Sequence, residues 1–331
     1  MIVVAQDGSG HFSSVQAAVD SIPGGDRAEP VRILVRKGEY RERVIVDKSC
    51  IRITGEDPEG TVIVRGGCAK DLYPDGTEKG TFLSATMIVT GHDVTVESLT
   101  VCNDAGDGRD VGQAVAVYAA GDRGIWRNCR LLAHQDTLFC GPVRLPNMEE
   151  DIGGRTCGAE AYPRVEDGPV TRSRLYFEKC FIRGDVDFIF GPYRCWFEDC
   201  TLFMNERGGW YTASNASEAQ PYGFVFHRCR LTGECGEGKA YLGRPWRKGS
   251  AAVFLACEMD GYVAPEGFTD WDAERVVTGR CGEWRTSGAR ADQGPRHPSQ
   301  KRLEDFEAGG ITLLRVLGGT DGWQPAPEQE Q

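Results

Sequence analysis

A short sequence pattern recurs along this chain of 331 residues and limits the folds open to it. Each copy has an aromatic residue, two variable residues, a cysteine, one variable residue and an aliphatic residue. Successive cysteines are 51, 20, 29 and 28 residues apart, which is close to the spacing of a solenoid. The copies lie at residues 126–131, 177–182, 197–202, 226–231 and 254–259, with a plausible earlier one at 96–101 that has Leu99 in the cysteine position.

Polar and apolar residues alternate within each copy as they do in a β-strand. The sequence therefore predicts an all-β solenoid with one short strand per repeat. Stacking would place five of the 13 cysteines in one column inside the coil. Reduced thiols are small apolar side chains that are often buried, so core packing is the favoured interpretation, with disulfide or redox use as the alternative. The column would contain Cys129, Cys180, Cys200, Cys229 and Cys257.

The two ends of the chain have their own signals. A serine pair at 13–14 can begin a short helix, which is a candidate cap because a solenoid needs its open end covered. Its apolar face would consist of Val15, Ala18, Val19 and Ile22. Residues 303–308 predict a short helix, and the apolar residues 311–317 predict a strand. No shift in composition marks a boundary, so we expect one domain over residues 1–325 and a disordered tail at 326–331.

The net charge and the N-terminal sequence limit which partners and which cellular location we expect. The formal net charge of −11 gives the chain no electrostatic reason to bind nucleic acid or an anionic membrane. It has no run of about 18 apolar residues that could span a membrane. The first residues lack the features of a leader, so we expect a cytoplasmic protein, or a secreted one if a leader has been removed. The five histidines have no ligand-like spacing, which argues against a zinc site, and we expect a monomer.

Three segments contain amides or carboxylates inside otherwise apolar strands, namely residues 113–117, 135–139 and 187–191. Each polar residue taken alone could simply face solvent. Their phase in successive repeats, however, would stack Gln113, Gln135 and Asp187 on one face. One carboxylate of such a set can attack an ester carbonyl, while a neighbouring negative charge keeps the other protonated. The amides can donate hydrogen bonds to the oxyanion that develops.

Residues 242–246 add a cation and an aromatic ring. Arg244 could keep a neighbouring carboxylate ionised through a forked contact, and Trp246 could stack on the face of a sugar. The alternative is a buried tryptophan beside a structural arginine. The chain has no Gly-x-Ser-x-Gly elbow and no glycine-rich nucleotide-binding motif, which argues against an α/β serine hydrolase and a nucleotide-binding protein.

Taken together, these segments resemble the pectin methylesterases, or pectinesterases. Single motifs are weak, but they follow the family order over roughly residues 3–325. The resemblance implies a right-handed parallel β-helix, and residues 210–215 are similar to a bacterial variant of one family strand. The matching segments are residues 4–10, 37–42, 81–86, 113–117, 135–138, 187–191, 242–246 and 322–325.

The resemblance also implies roles for the matched residues. Asp187 would be the nucleophile that attacks the C6 methyl ester. Asp136 would protonate the departing methoxide and then deprotonate the water that releases the enzyme. Gln135 would stabilise the oxyanion. Gln113 would bind substrate and assist in that stabilisation.

Three further residues match substrate-contact positions of the family. Arg244 would hold Asp187 and contact the substrate, Trp246 would line the sugar subsite, and Thr81 is a weaker candidate for substrate contact. The family requires neither a metal nor an organic cofactor. The implied substrate is pectin or a methylated oligogalacturonide.

Two departures from the family pattern stand out. The separation of 51 residues from Asp136 to Asp187 exceeds the usual family spacing, and the extra stretch, about 141–170, predicts a long loop that could favour short pectin fragments. His134 is an unexpected residue beside Gln135. We interpret it as exposed and without a role, with tuning of Asp136 as the alternative.

The sequence thus predicts an enzyme that hydrolyses methyl esters of galacturonan to galacturonate and methanol. Two alternatives use the same scaffold. One is an esterase or thioesterase of different specificity, and the other is a polysaccharide-binding protein without activity. A pectate lyase is disfavoured because the chain lacks the acidic clusters that bind calcium in such enzymes.

Overall fold

A computed structural model of the protein describes residues 1–25, 27–141, 174–290 and 295–325. The chain winds through three parallel sheets, A, B and C, and the described coils between residues 31 and 214 pass through them in that order. This architecture is a parallel β-helix. The predicted tail at 326–331 and almost all of the predicted loop at 141–170 lie outside the described residues.

Sheet A is the longest of the three. Its strands are β1 (Ile2–Val4), β2 (Val31–Val35), β5 (Ile51–Gly55), β8 (Val94–Glu97), β11 (Gly124–Arg127), β14 (Arg174–Glu178), β17 (Arg194–Glu198), β21 (Phe224–His227), β24 (Ala252–Leu255), β26 (Cys281–Trp284) and β27 (Lys301–Arg302).

Sheets B and C complete each coil. Sheet B contains β3 (Gly38–Arg41), β6 (Thr61–Val64), β9 (Thr100–Cys102), β12 (Arg130–Leu132), β15 (Phe181–Gly184), β18 (Thr201–Met204), β22 (Arg230–Gly233) and β25 (Glu258–Met259). Sheet C contains β4 (Val44–Val46), β7 (Met87–Val89), β10 (Val117–Ala119), β13 (Leu138–Cys140), β16 (Ile189–Gly191) and β20 (Thr212–Ser214). A separate pair is formed by β19 (Gly209–Trp210) and β23 (Ala240–Tyr241).

The prediction of one strand per repeat was wrong, because a full coil contains three. The aromatic–cysteine pattern covers the end of the sheet A strand, the turn that follows and the start of the sheet B strand, where its aliphatic residue lies. The aromatic residues of neighbouring sheet A strands are in register. The pairs are Trp126 with Phe177, Phe177 with Phe197, Phe197 with Phe226 and Phe226 with Phe254. From Phe177 onward their rings stack at 4.5–4.6 Å between centroids, so one side-chain type fills the same layer of successive coils.

The cysteine column is confirmed, and it has a structural reason. Each of its five thiols is buried and donates to a carbonyl of the preceding coil, for example from Cys200 to Phe177 at 3.6 Å and from Cys229 to Phe197 at 3.4 Å. The residue before each cysteine has a positive φ, such as 50° at Asp199, and this makes the tight turn from sheet A to sheet B. All twelve cysteines among the described residues are free thiols.

The helices are short and lie at the edges of the coil. Helix α1 (Val15–Asp20) caps the open end as predicted, and the Ser14 side chain accepts a hydrogen bond from Ala17 N at 3.2 Å. The others are α2 (Gly108–Val111), α3 (Asp305–Gly309), α4 (Leu313–Leu317) and a 3₁₀ turn, Phe82–Ser84. No helix in the described part of the chain is long and apolar enough to cross a membrane.

The strand prediction for residues 311–317 was wrong, because α4 occupies most of this segment. The Thr312 hydroxyl accepts a hydrogen bond from Arg315 N at 3.3 Å and begins the helix. Leu313, Val316 and Leu317 have helical spacing and pack with Tyr176 and Trp196 of sheet A. Their apolar run is therefore one helix face and not a buried strand.

Candidate active site

Asp136 and Asp187 lie on neighbouring coils, although 51 residues separate them in the sequence. Strands β13 and β16 pair Leu138 with Ile189, which is the same offset of 51 residues, so the two aspartates precede their strands at matching positions. Asp136 N donates to Val186 O at 3.0 Å. Because neighbouring parallel strands are about 4.8 Å apart, the two carboxylates belong to one site.

Both aspartates occupy tight turns and not strands, which corrects the sequence interpretation. Their φ angles are 67° at Asp136 and 53° at Asp187, in the left-handed region that non-glycine residues seldom adopt. Such conformations cost free energy and are concentrated at functional sites. Here the turn projects each carboxylate from the start of a sheet C strand.

The electrostatic surroundings of the two carboxylates differ. Only 8% of Asp136 and 5% of Asp187 is exposed. Burial, and then the negative charge of Asp187, raise the pKa of Asp136 well above its ordinary value, with a smaller contribution from Asp185. Burial also raises the pKa of Asp187, but hydrogen bonds from Arg244 oppose that effect. The site is therefore arranged to hold Asp136 protonated beside an ion-paired Asp187.

Arg244 is fixed on three sides. Its Nε and Nη2 donate to Asp187 Oδ1 and Oδ2 at 2.9 and 2.7 Å in a forked contact. Its guanidinium carbon lies 3.7 Å from the ring centroid of Trp210 and 3.8 Å from that of Trp271. Trp210 is itself held by a hydrogen bond from Nε1 to Thr269 Oγ1 at 2.8 Å. The two rings restrict the guanidinium to the plane that the fork requires.

An aromatic wall continues from the carboxylates along the outer face of sheet C. Tyr118, Phe139 and Phe190 occupy paired positions of three successive coils, with centroids 5.1 and 4.8 Å apart. Trp246 is half-buried and meets Phe190 edge-on at 5.8 Å. Phe82 packs on Phe139 at 4.7 Å, which brings the preceding residue, Thr81, to the same face.

The two predicted amide donors lie in the same region. Gln113 and Gln135 are half-buried, and neither side-chain amide has a hydrogen bond to another residue in the described ranges. A Cβ atom on Gly108 would come within 2.8 Å of Gln135 Oε1, so the glycine makes room for this amide. Both amides are thus available to a ligand.

The sequence interpretation missed three residues of the site. Trp271 lies outside every recognised motif, and Asp185 was not separated from the segment that follows it. Arg207 has no motif either, although its guanidinium lies 3.9 Å from Asp185. His134 is only partly exposed, and its Nδ1 lies 3.2 Å from Asp185 Oδ2, so its interpretation as an exposed residue is wrong. That it has no role stays a prediction. An acid two residues before Asp187 and an unexpected histidine were the available signals.

The described residues contain no group of three or more histidine, cysteine, aspartate or glutamate side chains arranged to hold a metal ion. The groups that the site itself presents are two carboxylates, two amides and an arginine. These groups are those expected in an esterase with a carboxylate nucleophile, in which one carboxylate attacks the ester carbonyl and the other transfers protons.

Comparisons with known proteins identify the family. The pectinesterase family model matches residues 1–155 and 169–306. Pectinesterase 31 of Arabidopsis thaliana is 33% identical over 316 residues, which cover 93% of this chain and 89% of that protein. Because this relative is from a plant, the expectation of a bacterial-type member stays a prediction.

Solved structures of pectin methylesterases show the same fold. The carrot enzyme is 27% identical, with a TM-score of 0.79 over 97% of this chain and 93% of its own. A pectin methylesterase in complex with a hexasaccharide is 26% identical, with a TM-score of 0.76 over 99% and 98%. These similarities confirm the predicted right-handed parallel β-helix. The chain belongs to the pectinesterase family and is an enzyme that hydrolyses carboxylic esters.

Proposed function

We propose that this pectinesterase removes methyl esters from galacturonan with Asp187 as the nucleophile and Asp136 as the proton carrier. The observation that carries the proposal is the forked Arg244–Asp187 pair beside a buried Asp136 whose pKa is raised. One carboxylate is thus held as an anion and its neighbour keeps a proton, which is the division of roles that the reaction requires.

In the first half of the reaction, an oxygen of Asp187 attacks the C6 carbonyl of a methylated galacturonate. The oxyanion accepts hydrogen bonds from the amides of Gln135 and Gln113. As the tetrahedral intermediate collapses, the bond from carbon to methoxide breaks and Asp136 transfers its proton to that oxygen. Methanol leaves, and an anhydride joins the substrate to Asp187.

The second half restores the enzyme. Asp136, now ionised, takes a proton from a water molecule as that water attacks the substrate carbonyl of the anhydride. The bond to Asp187 breaks, galacturonic acid is released and loses its proton to solvent as galacturonate, and both aspartates regain their starting protonation states. Burial of Asp136 and its proximity to Asp187 support this exchange, because both raise its affinity for the proton.

The substrate that fits the site is methylated pectin or an oligomer of it. The similar pectin methylesterase bound to a hexasaccharide supports a polymeric ligand for this chain. Phe82 and Trp246 are partly exposed at this face and support stacking of sugar rings beside the carboxylates, while the buried Tyr118, Phe139 and Phe190 pack beneath them. Preference for short fragments remains a prediction that depends on residues outside the described ranges.

A release assay tests the substrate class. The purified chain is incubated with highly methylated pectin and, separately, with acetylated pectin, and methanol and acetate are measured. We expect methanol release with little or no acetate. Acetate release without methanol would favour an esterase of different specificity. Binding to pectin without release of either product would favour a non-catalytic polysaccharide-binding protein.

Substitution of Arg244 tests how the nucleophile is held. In Arg244→Lys the charge remains but the fork and the stacking between two indoles are lost. A charge-assisted hydrogen bond contributes about 1.5–3 kcal/mol, so we expect kcat to fall about 10- to 100-fold. In Arg244→Ala the pKa of Asp187 should rise further, because its cation is gone. Since Asp187 must be ionised to attack, the acid limb of kcat/KM should then move to higher pH.

The pH profiles of both variants on methylated pectin check these expectations. Arg244→Lys is the matched control for charge, and its acid limb should stay near that of the native enzyme. If kcat of the lysine variant were close to native, the forked geometry would have no role in catalysis.

A further inference from the structure

Trp271, one of the two indoles that contact Arg244, is also in contact with a second arginine. The guanidinium carbon of Arg244 lies 3.8 Å from the centroid of the Trp271 ring, and that of Arg275 lies 4.7 Å from the same centroid. The face of an indole is electron-rich and attracts cations. The ring therefore joins the arginine that holds the nucleophile to another arginine, to which the proposed mechanism gives no role.

The side chain of Arg275 is fixed by a carboxylate of its own. Its Nε donates to Asp272 Oδ2 at 2.8 Å, its Nη2 donates to the same oxygen, and its backbone N donates to Asp272 Oδ1 at 2.8 Å. Hydrogen bonds from Arg275 lower the pKa of Asp272 to about 2, so this carboxylate remains ionised. Because Arg244 is paired with Asp187, each of the two cations at the indole has an anion beside it.

The turn that contains Trp271 and Arg275 is held by its backbone. Trp271 N donates to Arg275 O at 2.9 Å and closes the turn, and Val277 N donates to Asp270 Oδ1 at 2.7 Å just outside it. The indole and the guanidinium therefore start from fixed points at the two ends of one turn. Little backbone entropy is lost when they stack on each other.

The same segment also binds the second indole of the site. Thr269 Oγ1 accepts the hydrogen bond from Trp210 Nε1 at 2.8 Å, and Thr269 N donates to Gly243 O at 3.0 Å. Gly243 directly precedes Arg244 in the chain. Residues 269–275 thus contain one indole, bind the other, and are bonded to the backbone from which the Arg244 side chain extends.

We propose that Arg275 is a positioning residue for ester hydrolysis, which acts through Trp271 to keep the guanidinium of Arg244 in the plane of its forked contact. This inference rests on the proposed roles of Arg244 and Asp187. With Arg275 stacked on it, the indole cannot tilt away from Arg244 without breaking that contact. A misplacement of about 1 Å can lower a rate about 100-fold, so a contact of modest strength can have a measurable effect on turnover.

The kinetics of methanol release from highly methylated pectin test this role. In Arg275→Gln the cation and its contact with the indole are lost, and we expect kcat to fall about three- to tenfold with KM within about twofold of native. Trp271→Leu removes the ring that both arginines contact, and kcat should fall about 10- to 100-fold, again with little change in KM. Loss of a platform for sugar binding would instead raise KM and leave kcat unchanged.

A conservative variant measures how much of the effect comes from charge. Arg275→Lys keeps the cation but loses the planar group that stacks on the ring and forks to Asp272. Its kcat should therefore lie between that of Arg275→Gln and that of the native enzyme.

A double-mutant cycle shows whether Arg275 acts through the indole. When Arg275→Gln is added to Trp271→Leu, kcat should fall no further, because the contact that the second change removes is already absent. If the two changes lowered kcat independently, so that their effects multiplied, Arg275 would not act through Trp271 and the proposal would be overturned.

Arg285 offers a matched control in another part of the coil. Its guanidinium carbon lies 4.6 Å from the ring centroid of Trp284, and its Nη2 donates to Asp305 Oδ2 at 2.9 Å. Trp284 belongs to β26 of sheet A and not to the site. Arg285→Gln makes the same chemical change as Arg275→Gln and should leave both kcat and KM at their native values.

Native kcat in Arg275→Gln would overturn the proposal, as would a rise in KM at unchanged kcat in Trp271→Leu. If Arg275→Gln fails to fold, the cycle is run with Arg275→Lys, and native kcat in that variant would then overturn the proposal. Failure of the proposed function would look different, because the native enzyme would release no methanol or Asp187→Asn would keep its turnover.

Discussion

Asp187→Asn should lower the rate of methanol release from highly methylated pectin by at least about three orders of magnitude, since the nucleophile is removed. Asparagine is nearly the same size as aspartate and tolerates the left-handed backbone, where Asp187 has a φ of 53°. Arg244 would lose its ion pair with the carboxylate, but the indole rings of Trp210 and Trp271 on either side would still hold the guanidinium. The expected loss therefore belongs to the chemistry and not to a collapsed turn.

Asp199 offers a matched control for this variant. It also has a positive φ, 50°, and accepts a forked contact from Arg228 with both distances at 2.9 Å. It lies in the turn from sheet A to sheet B, away from sheet C. Asp199→Asn should keep native turnover, with circular dichroism and thermal unfolding measured for both variants. Turnover within tenfold of native in Asp187→Asn would refute the nucleophile assignment.

Asp136→Asn should have the second largest effect, with a loss of about 10²- to 10⁴-fold in kcat, because no group remains to protonate methoxide or to activate water. The same variant should be more stable than the native chain at neutral pH. The pKa of Asp136 is raised on folding, so its favourable contribution is complete below the ordinary carboxyl pKa and is lost as the pH rises through the folded value. An amide cannot ionise and avoids that loss.

The two readouts are methanol release and the melting temperature from acid to neutral pH. The difference in melting temperature between Asp136→Asn and the native chain should widen as the pH rises. A less active variant that is also less stable at neutral pH would indicate a structural role for Asp136. Activity and stability that move in opposite directions are expected when a buried charge is kept for function.

The repeat made much of the fold predictable, because each of its residues has the same structural role in every coil. Phe177 and Phe197 each stack on the next ring, and Cys200 fills the turn that follows. Sheet B shares only the aliphatic residue that ends the pattern, and the pattern does not reach sheet C, so the sequence indicated one strand where the coil has three. For residues 311–317, the apolar run did not distinguish a strand from the helix that begins at Thr312.

The site was predictable where a residue's chemistry is unusual in its setting. Carboxylates beside apolar strands, such as Asp136 and Asp187, are costly unless they are used, and they drew attention for that reason. The indole of Trp271 gave no such signal, because its contact with Arg244 depends on where the coil places a residue 27 positions further on. Asp185 was overlooked for a similar reason, since its burial and its contact with His134 on the neighbouring coil depend on the fold and not on adjacent residues.

The pairing of β13 with β16 has a consequence for how such an enzyme can change. The spacing of the two acids is set by the ladder between these strands and not by the length of chain that joins them. Because their register is a property of the ladder, the number of residues between Gly141 and Arg174 can change without moving either acid. Chain length in this connection and the geometry of the two acids can therefore vary independently.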